Sequence, residues 1–430
     1  MPAYELQPVD TLFFRDARSM DGGGHGANWP LPTVTHEALR TALLRAAGDL
    51  PRGKSITHHK TGANGRRQKN VASDCFRSLR TIGPFPLRHD AVSKQNKLYF
   101  VRPSDLAPSG DVADTANAAV PVTCLAPLAN LPDNAQSNLP AAWLKPVAAN
   151  AAPSKATLPQ WVTADWFRQY LANSAHPPAL ENHDAKLYVT EHRIGIELDS
   201  STNTTKEGQF YTTEHLRLCE GTRLWIDVRL NDADPKHAGG MQTLAELSNA
   251  PITLGGESRM CHVRAGAEFD FNRLIPPPEL PSASGSILIK WALVTPAVFN
   301  CGWRPNWVCE SDGKVMLKSG DIAKRQGEDR RAWRERVRSA PGIDAQLIGV
   351  CLPKPIFFSG WDVNLKQNNK YGGPKPTYMA VASGSVYYFK AADSRNAAAL
   401  VNALHGRTQS DCFGEKGLGL GFCGICSYLN

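Results

Sequence analysis

The sequence predicts an α+β protein with antiparallel sheets. Short runs of alternating apolar and polar residues recur through both halves of the chain, each long enough for one strand. Helix-period stretches fall between them without the regular strand–helix–strand alternation that a parallel sheet requires. The opening order of strand, loop and helix is that of a ferredoxin-like unit, an order shared with many α/β folds.

Tyr4 to Phe14 alternates in strand fashion, and Arg15-Asp16 closes it. A glycine-rich loop follows. A helix is then expected over His36–Ala47, with Leu39, Leu43 and Leu44 at helical spacing, Thr35 as N-cap and Gly48 as the stop. Residues 50–72 have the composition of a polar, basic insertion, and Phe85–Val101 reads as paired strands around a turn. From Leu106 to about Pro159 the chain is rich in Ala, Pro and Asn with almost no charge, so it reads as an irregular insertion. Trp161–Leu171 is expected to be a short helix capped by Thr163. Further strands are expected at Gly195–Leu198, Phe210–Leu218, Arg223–Arg229, Ile287–Thr295, Ala345–Ile356 and Ser385–Phe389. Helices are expected at Gly240–Ser248, Asp329–Arg338 and Arg395–Leu404. In the second of these, Trp333 and Val337 form the buried stripe of a solvated, charged helix.

At 430 residues, 42% hydrophobic and 20% charged, the chain can fill two cores. We divide it into residues 1–185 and 186–430. The formal charge of +8 is unevenly spread: Arg52, Lys54, Lys60, Arg66, Arg67 and Lys69 follow one another with no acid among them. Such a run favours phosphate contact over membrane insertion. No apolar run reaches the length of a transmembrane helix, and the first residues lack the order of a signal peptide. A cytosolic protein is expected, and ten scattered cysteines fit reduced thiols.

Several motifs invite chemistry. Gly419 to Gly424 spells GxGxxG, but only six residues follow it, so no βαβ unit can form and dinucleotide binding is rejected. Its glycines, with Gly417 and neighbouring Lys416, would either let backbone amides approach a phosphate or make a tight turn for packing. Gly255-Gly256-Glu257-Ser258-Arg259 is either an anion-binding corner or a β-turn with a surface arginine. Thr205-Lys206-Glu207-Gly208 reads as a polar turn beside Phe210, Tyr211 and His215, which could stack on bases. Strand periodicity puts Tyr211 and Thr213 on one face and Phe210 and Thr212 on the other. Tyr211 is the candidate for the exposed aromatic. His25, in a glycine-rich loop, could serve as a general acid or base or be a solvated loop histidine; Arg15 and Arg18 flank that loop. Cys423-x-x-Cys426 has only Cys412 and His405 as further zinc ligands, at an unusual spacing, so neither zinc nor redox chemistry is expected. His89-Asp90 and His183-Asp184 lie in turn-like contexts that do not support an HD nuclease site. Trp303 and Trp307 read as core or subunit-contact aromatics.

The ordered blocks resemble the RAMP family of RNA-binding subunits in CRISPR effector complexes, and within it the third Cmr subunit of type III-B systems. The blocks begin with LQPVDTLFFRDARSM and WPLPTVTHEALRTALL, then GPFPLRHD with KLYFVRPSDL. HRIGIELDSSTNTTKEGQFYTTEHLRL and TLGGESRM are the most specific. LIKWALVTPAVFNCGWRP, FFSGWDV, KPTYMAVASGSVYYF and GLGLGFCGI complete the series. The insertions at 50–70 and 106–159 depart from the family pattern. The resemblance implies two ferredoxin-like (RRM-related) modules and a subunit with no nuclease activity and no cofactor. It also implies binding of the 5′ handle of CRISPR RNA and contact with the large polymerase-like subunit and the neighbouring backbone subunit. By position in the matching blocks, the RNA contacts would be Arg15, Arg18, His25, Arg193, Lys206, Tyr211, Gly255, Gly256, Arg259, Lys416, Gly419 and Gly421. Competing readings are a metal-independent RAMP endoribonuclease using His25, a scaffold subunit of a type III-A or type I complex, and a protein-interaction module whose basic loops are incidental.

Overall fold

The computed structural model of the chain describes residues 3–14, 29–47, 78–90, 93–109, 119–131, 138–150, 156–173, 175–199, 204–230, 251–282, 285–320, 327–367 and 370–429, with isolated positions between them. The basic stretch at 50–72, and all of the helix expected at Gly240–Ser248 except Leu244, lie outside the described residues.

β1 (Ala3–Pro8) ends at Pro8, earlier than its alternating pattern suggests, because the chain turns there and Leu12 bridges to Leu216 instead. α1 (Pro32–Ala46) starts almost a turn before the expected Thr35 cap. Pro32 occupies its first turn, where a missing N–H costs nothing, and Thr35 lies inside the helix with its hydroxyl donating to the Pro32 carbonyl at 3.0 Å. β2 (Arg80–Asp90) and β3 (Gln95–Val101) form the expected hairpin, with Leu87 opposite Leu98.

The insertion after Leu106 is less irregular than its composition suggests. β4 (Leu106–Pro108) pairs with β5 (Val122–Cys124), and β6 (Ala126–Pro127) with β7 (Val147–Ala148). Leu106, Val120, Val122 and Leu144 are buried, which alternation in an Ala/Pro-rich stretch does not reveal. β8 (Trp161–Thr163) precedes α2 (Ala164–Ala172), whose cap is Thr163 as expected: its hydroxyl accepts from Trp166 N at 3.1 Å. A single turn, α3 (Asp184–Leu187), leads into β9 (Tyr188–Leu198) and β10 (Thr205–Leu218). Thr205 to Gly208, expected as a turn, is therefore strand; the turn falls earlier, where Asp199 N donates to Thr204 O at 2.8 Å. β11 (Thr222–Arg229), β12 (Ile252–Thr253) and β13 (Met260–Ala265) follow, then the turn α4 (Phe271–Leu274).

The remaining elements are β14 (Ile287–Leu293), α5 (Arg330–Ser339), β15 (Ala345–Cys351), β16 (Ile356–Phe358), β17 (Trp361–Gln367), β18 (Lys370–Pro374), β19 (Tyr378–Ala380), β20 (Val386–Ala391), α6 (Ser394–Leu404), β21 (Arg407–Thr408) and β22 (Leu420–Cys426). The run expected as one strand over Ala345–Ile356 is broken by Pro353 and Pro355, which cannot donate to a ladder.

Two main sheets result, of order β12-β13-β1-β11-β2-β3-β8 and β15-β20-β14-β22-β21. Every ladder between the named strands is antiparallel. The division expected at residue 185 does not separate these sheets: the first is complete only with β11, β12 and β13, residues 222–265. Strand pairing is long-range, and local periodicity carries no record of it.

Each sheet has an outer core of its own. Leu6, Leu224, Ile226 and Val263 pack on α1 through Leu39 and Leu43. Ile289, Trp291, Leu293 and Phe389 pack on α6 through Leu400 and Leu404. The other faces meet in one shared core, where Phe85, Phe100 and Trp225 of the first sheet join Leu288, Tyr388 and Phe422 of the second. Lys290 points into that core, fully buried between two apolar neighbours of the same face, Leu288 and Ala292. Its ammonium lies 3.6 Å from Asp105 Oδ2, 3.9 Å from Cys124 Sγ and 3.4 Å from the centre of the Tyr170 ring. Asp105, also fully buried, accepts the Tyr170 hydroxyl at 2.7 Å and the Tyr388 hydroxyl at 3.1 Å. Burial first, and Asp105 next, push both phenols well above the ordinary tyrosine range.

Lys290→Met would leave Asp105 without its counter-charge in the core. A loss of about 3–5 kcal/mol is expected, read by denaturant unfolding; an unchanged midpoint would refute the structural role given to this pair.

Candidate nucleic-acid interface

Three elements converge where β1 ends. The first is the residue run Asp10–Phe14. The second is the base of the β9–β10 hairpin, and the third is the turn from Gly255 to Arg259 that joins β12 to β13. In an antiparallel pair, residues opposite each other share a face. His215 faces Glu191 and Thr213 faces Arg193, so these four and Arg217 line one side of the ribbon.

Asp10 binds three guanidinium groups from that side. Arg193 Nη2 reaches its Oδ2 at 3.0 Å, Arg217 Nη2 its Oδ1 at 3.0 Å, and Arg259 Nη1 its Oδ2 at 3.5 Å. Arg193 and Arg217 also share Glu191, at 2.7 and 2.6 Å, and Arg259 holds Glu257 at 2.8 Å. The hydrogen bond from Arg193 heads the causes that hold the Asp10 carboxyl down to about 2. Arg217 and Arg193 likewise lower Glu191, while their own basicity rises. His215 is buried beneath, stacked on Phe13 at 5.0 Å and hydrogen-bonded through Thr11 and Thr213 at 3.3 and 3.1 Å. Burial lowers its pKa.

The glycines explain how the turn comes so close. Gly255 has φ +86°, and a Cβ there would meet Phe13 O at 2.5 Å and the Phe14 ring at 2.9 Å. Gly256 N donates to Phe13 O at 2.8 Å. Arg259 is thereby held against the ribbon, and its buried Nε has no hydrogen-bond partner among the described residues. Phe14 also lines a cavity of about 930 Å³ between the two sheets. Trp29, Phe85, Trp161, Phe357 and Phe358 share its wall with the cation Lys354. An aromatic cleft beside a guanidinium cluster can take planar bases and phosphates together.

Of the residues singled out in the sequence, Arg193, Gly255, Gly256 and Arg259 are thus brought together. Lys416 is not among them: it pairs with Glu37 on α1 at 2.5 Å. Gly417 and Gly419 have φ +91° and +79°, and added Cβ atoms would meet Thr81 O and the Gln409 backbone at 2.6 Å. Gly421 lies in β22 under the Trp291 ring. Between the two alternatives left open for these glycines, tight packing is what the geometry uses at Gly419 and Gly421, both buried. Arg15, Arg18 and His25 lie outside the described residues. Lys206 and Tyr211 lie in β10, and their side chains are likewise outside the description.

Sequence reasoning missed Glu191 and Arg217, whose alternation with Arg193 and His215 was the available signal; it also missed Asp10, which no local pattern marks, and the cleft. Cys423 and Cys426, three apart on a strand, point into different cores. Burial pushes Cys426 up to about 12 and Cys423 higher still. Among the described residues no group of three or more His, Cys, Asp or Glu could hold a metal ion, and no helix is long and apolar enough to cross a membrane.

The sequence matches the family described as CRISPR-associated protein (Cas_Cmr3) over residues 4–425. No curated protein matches it significantly. Among solved structures, a chain of "Cryo-EM structure of the Type III-B Cmr-beta bound to cognate target RNA and AMPPnP, state 1" is similar at 11% identity, over 90% of this chain and 86% of that chain, with a TM-score of 0.42. A chain of "Crystal structure of Csm3-Csm4 subcomplex in the type III-A CRISPR-Cas interference complex" is similar at 9% identity, over 91% and 94%, with a TM-score of 0.36.

One consequence of the packing around Lys416 is a pH dependence. His36, buried on α1 with its Nδ1 3.1 Å from the Thr81 hydroxyl, is held down to about 4, chiefly by burial. As pH falls below the free-histidine value the unfolded chain takes a proton that the folded chain refuses, so stability is lost. The melting temperature should fall between about pH 6.5 and pH 4, and His36→Gln should flatten part of that fall. A profile identical in the variant would remove His36 from the account.

Proposed function

The chain belongs to the CRISPR-associated Cas_Cmr3 family, and on that premise we propose a non-catalytic subunit of a type III-B CRISPR effector complex. In this reading it binds the repeat-derived 5′ handle of CRISPR RNA, contacts the large polymerase-like subunit and a backbone subunit, and serves antiviral defence. The observation that carries the reading is the family match over residues 4–425, nearly the whole chain.

The strand orders support two ferredoxin-like modules. In the first sheet β1, β2, β11 and β13 stand in spatial order β13-β1-β11-β2; in the second β14, β15, β20 and β22 stand in order β22-β14-β20-β15. Both are the order 4-1-3-2 of a βαββαβ unit, with α1 and α6 in crossover positions. The long excursion from β3 to β10 is then an elaboration of the first unit.

The chemistry of RNA binding divides between the two halves of the interface. Phosphates positioned at Arg193, Arg217 and Arg259 would displace Asp10 and Glu257, and the planar forks suit phosphate oxygens. Bases splayed from the strand would enter the aromatic cleft. Exposed ion pairs are worth little, so exchanging a carboxylate for a phosphate costs little.

Two variants test this. Arg259→Ala should weaken handle-RNA binding about tenfold, as loss of a charged hydrogen bond does, without lowering the melting temperature. Asp10→Asn should tighten binding and steepen its salt dependence, because it removes the one carboxylate that all three arginines share. Affinity falling only in step with thermal stability would sink the assignment. Purification of the tagged chain from its host, with sequencing of bound RNA, tests the reading as a whole: RNAs sharing one 5′ end are expected.

A further inference from the structure

Between Lys318 and Gly342 the chain leaves the second sheet and returns. The two ends are tied by an antiparallel bridge between those residues and by Ser319 N donating to Pro341 O at 2.9 Å. The excursion carries α5, sequence RRAWRERVRS, capped by Asp329, whose carboxylate accepts from Arg331 N at 2.8 Å. α5 holds no buried residue, so it adds nothing to any core of this chain.

Its arginines are not evenly arranged. Arg330, Arg334 and Arg338 follow at i, i+4 and i+8, and Arg331 stands about 100° from Arg330, so all four occupy one arc of the helix. Trp333 and Val337 border that arc on one edge and are half-buried. Arg336, off that arc, is tied to Glu328 at 2.8 Å, and Arg338 reaches Glu335 at 3.7 Å. Arg330, Arg331 and Arg334 are exposed and have no ion-pair partner among the described residues. This is the opposite of the Asp10 cluster, where every guanidinium has a carboxylate.

We propose that the arginine face of α5 is a second RNA-binding surface, reading the sugar-phosphate backbone without regard to sequence. The inference rests on the RNA-binding reading above. Three guanidinium forks with no ion-pair partner among the described residues, within about 6 Å of helix rise, present positive charge together. A phosphate chain is the polyanion with a matching linear repeat of charge, and planar forks take its oxygens two at a time. A ten-residue helix with no fully buried residue is only marginally stable by itself, and bound phosphates would add a partner along its arginine arc.

The test uses the full chain and the triple variant Arg330→Gln, Arg331→Gln, Arg334→Gln. Binding to handle RNA and to a scrambled RNA of equal length is titrated across salt concentrations. Each phosphate contact to single-stranded RNA contributes about 0.7 to the salt slope, so the variant's slope should fall by about 2. Its affinity should drop for both RNAs alike, with the melting temperature unchanged. An unchanged slope overturns the proposal, whether or not the variant loses a protein partner of the complex; such a loss would instead mark α5 as a protein contact. Should the wild type fail to prefer handle RNA, the functional reading falls while the slope comparison still decides the role of α5.

Discussion

The contact between Lys290 and Asp105 is the constraint on which the meeting of the two sheets depends. Two opposite charges buried together pay heavily in lost hydration, and they persist only where hydrogen-bond partners surround them. Here those partners come from three separate places: Tyr170 on α2, Tyr388 on β20 and Cys124 on β5. Apolar rings such as Phe100 and Phe422 can slide over one another at modest cost. A carboxylate that accepts two phenols and faces an ammonium cannot, so this cluster fixes how α2 and the insertion sit on the second sheet.

That constraint also marks the limit of what the sequence discloses. The strands around Leu87 and Leu98 are legible because alternation and a turn are local signals, and so is the Thr163 cap. Lys290 inside ILIKWAL reads only as an interruption of an apolar strand, since its partner lies far away in sequence. The same holds for the sheets. Nothing local in LQPVD tells that β1 will lie between β11 and β13, and the division at residue 185 failed to follow the sheets for that reason. Proline misled in both directions, opening α1 at Pro32 and dividing β15 from β16. At the candidate interface, Arg193, Gly255, Gly256 and Arg259 were reachable through block resemblance. Asp10 was not, because its importance arises only when the hairpin folds back onto the end of β1.

Two kinds of arginine site result, with different physics. At Asp10 the guanidinium groups are oriented by carboxylates and their charge is locally balanced, so the cluster adds geometry more than attraction. Its field fades quickly with distance, and a phosphate must compete with acids already in place. On α5, Arg330, Arg331 and Arg334 have no ion-pair partner among the described residues, so their field extends outward and is screened by salt. Steering toward a polyanion belongs to the second kind, and positioning at a chosen angle belongs to the first.

The glycines show why residue type alone could not separate contact from packing. At Gly255 the missing side chain lets a turn press on Phe13 and Phe14, which brings Arg259 into the cluster and shapes one wall of the cleft. At Gly417 and Gly419 the same freedom lets the chain pass over Thr81 and Gln409 before β22 enters the second sheet. The Lys416–Glu37 pair then ties that passage to α1 of the first unit. The passage at Gly417 therefore joins the two sheets where β2 carries Thr81. With a charged clasp in the shared core and this one outside it, the aromatic cleft between the sheets has walls whose spacing is set by the core, whatever ligand enters.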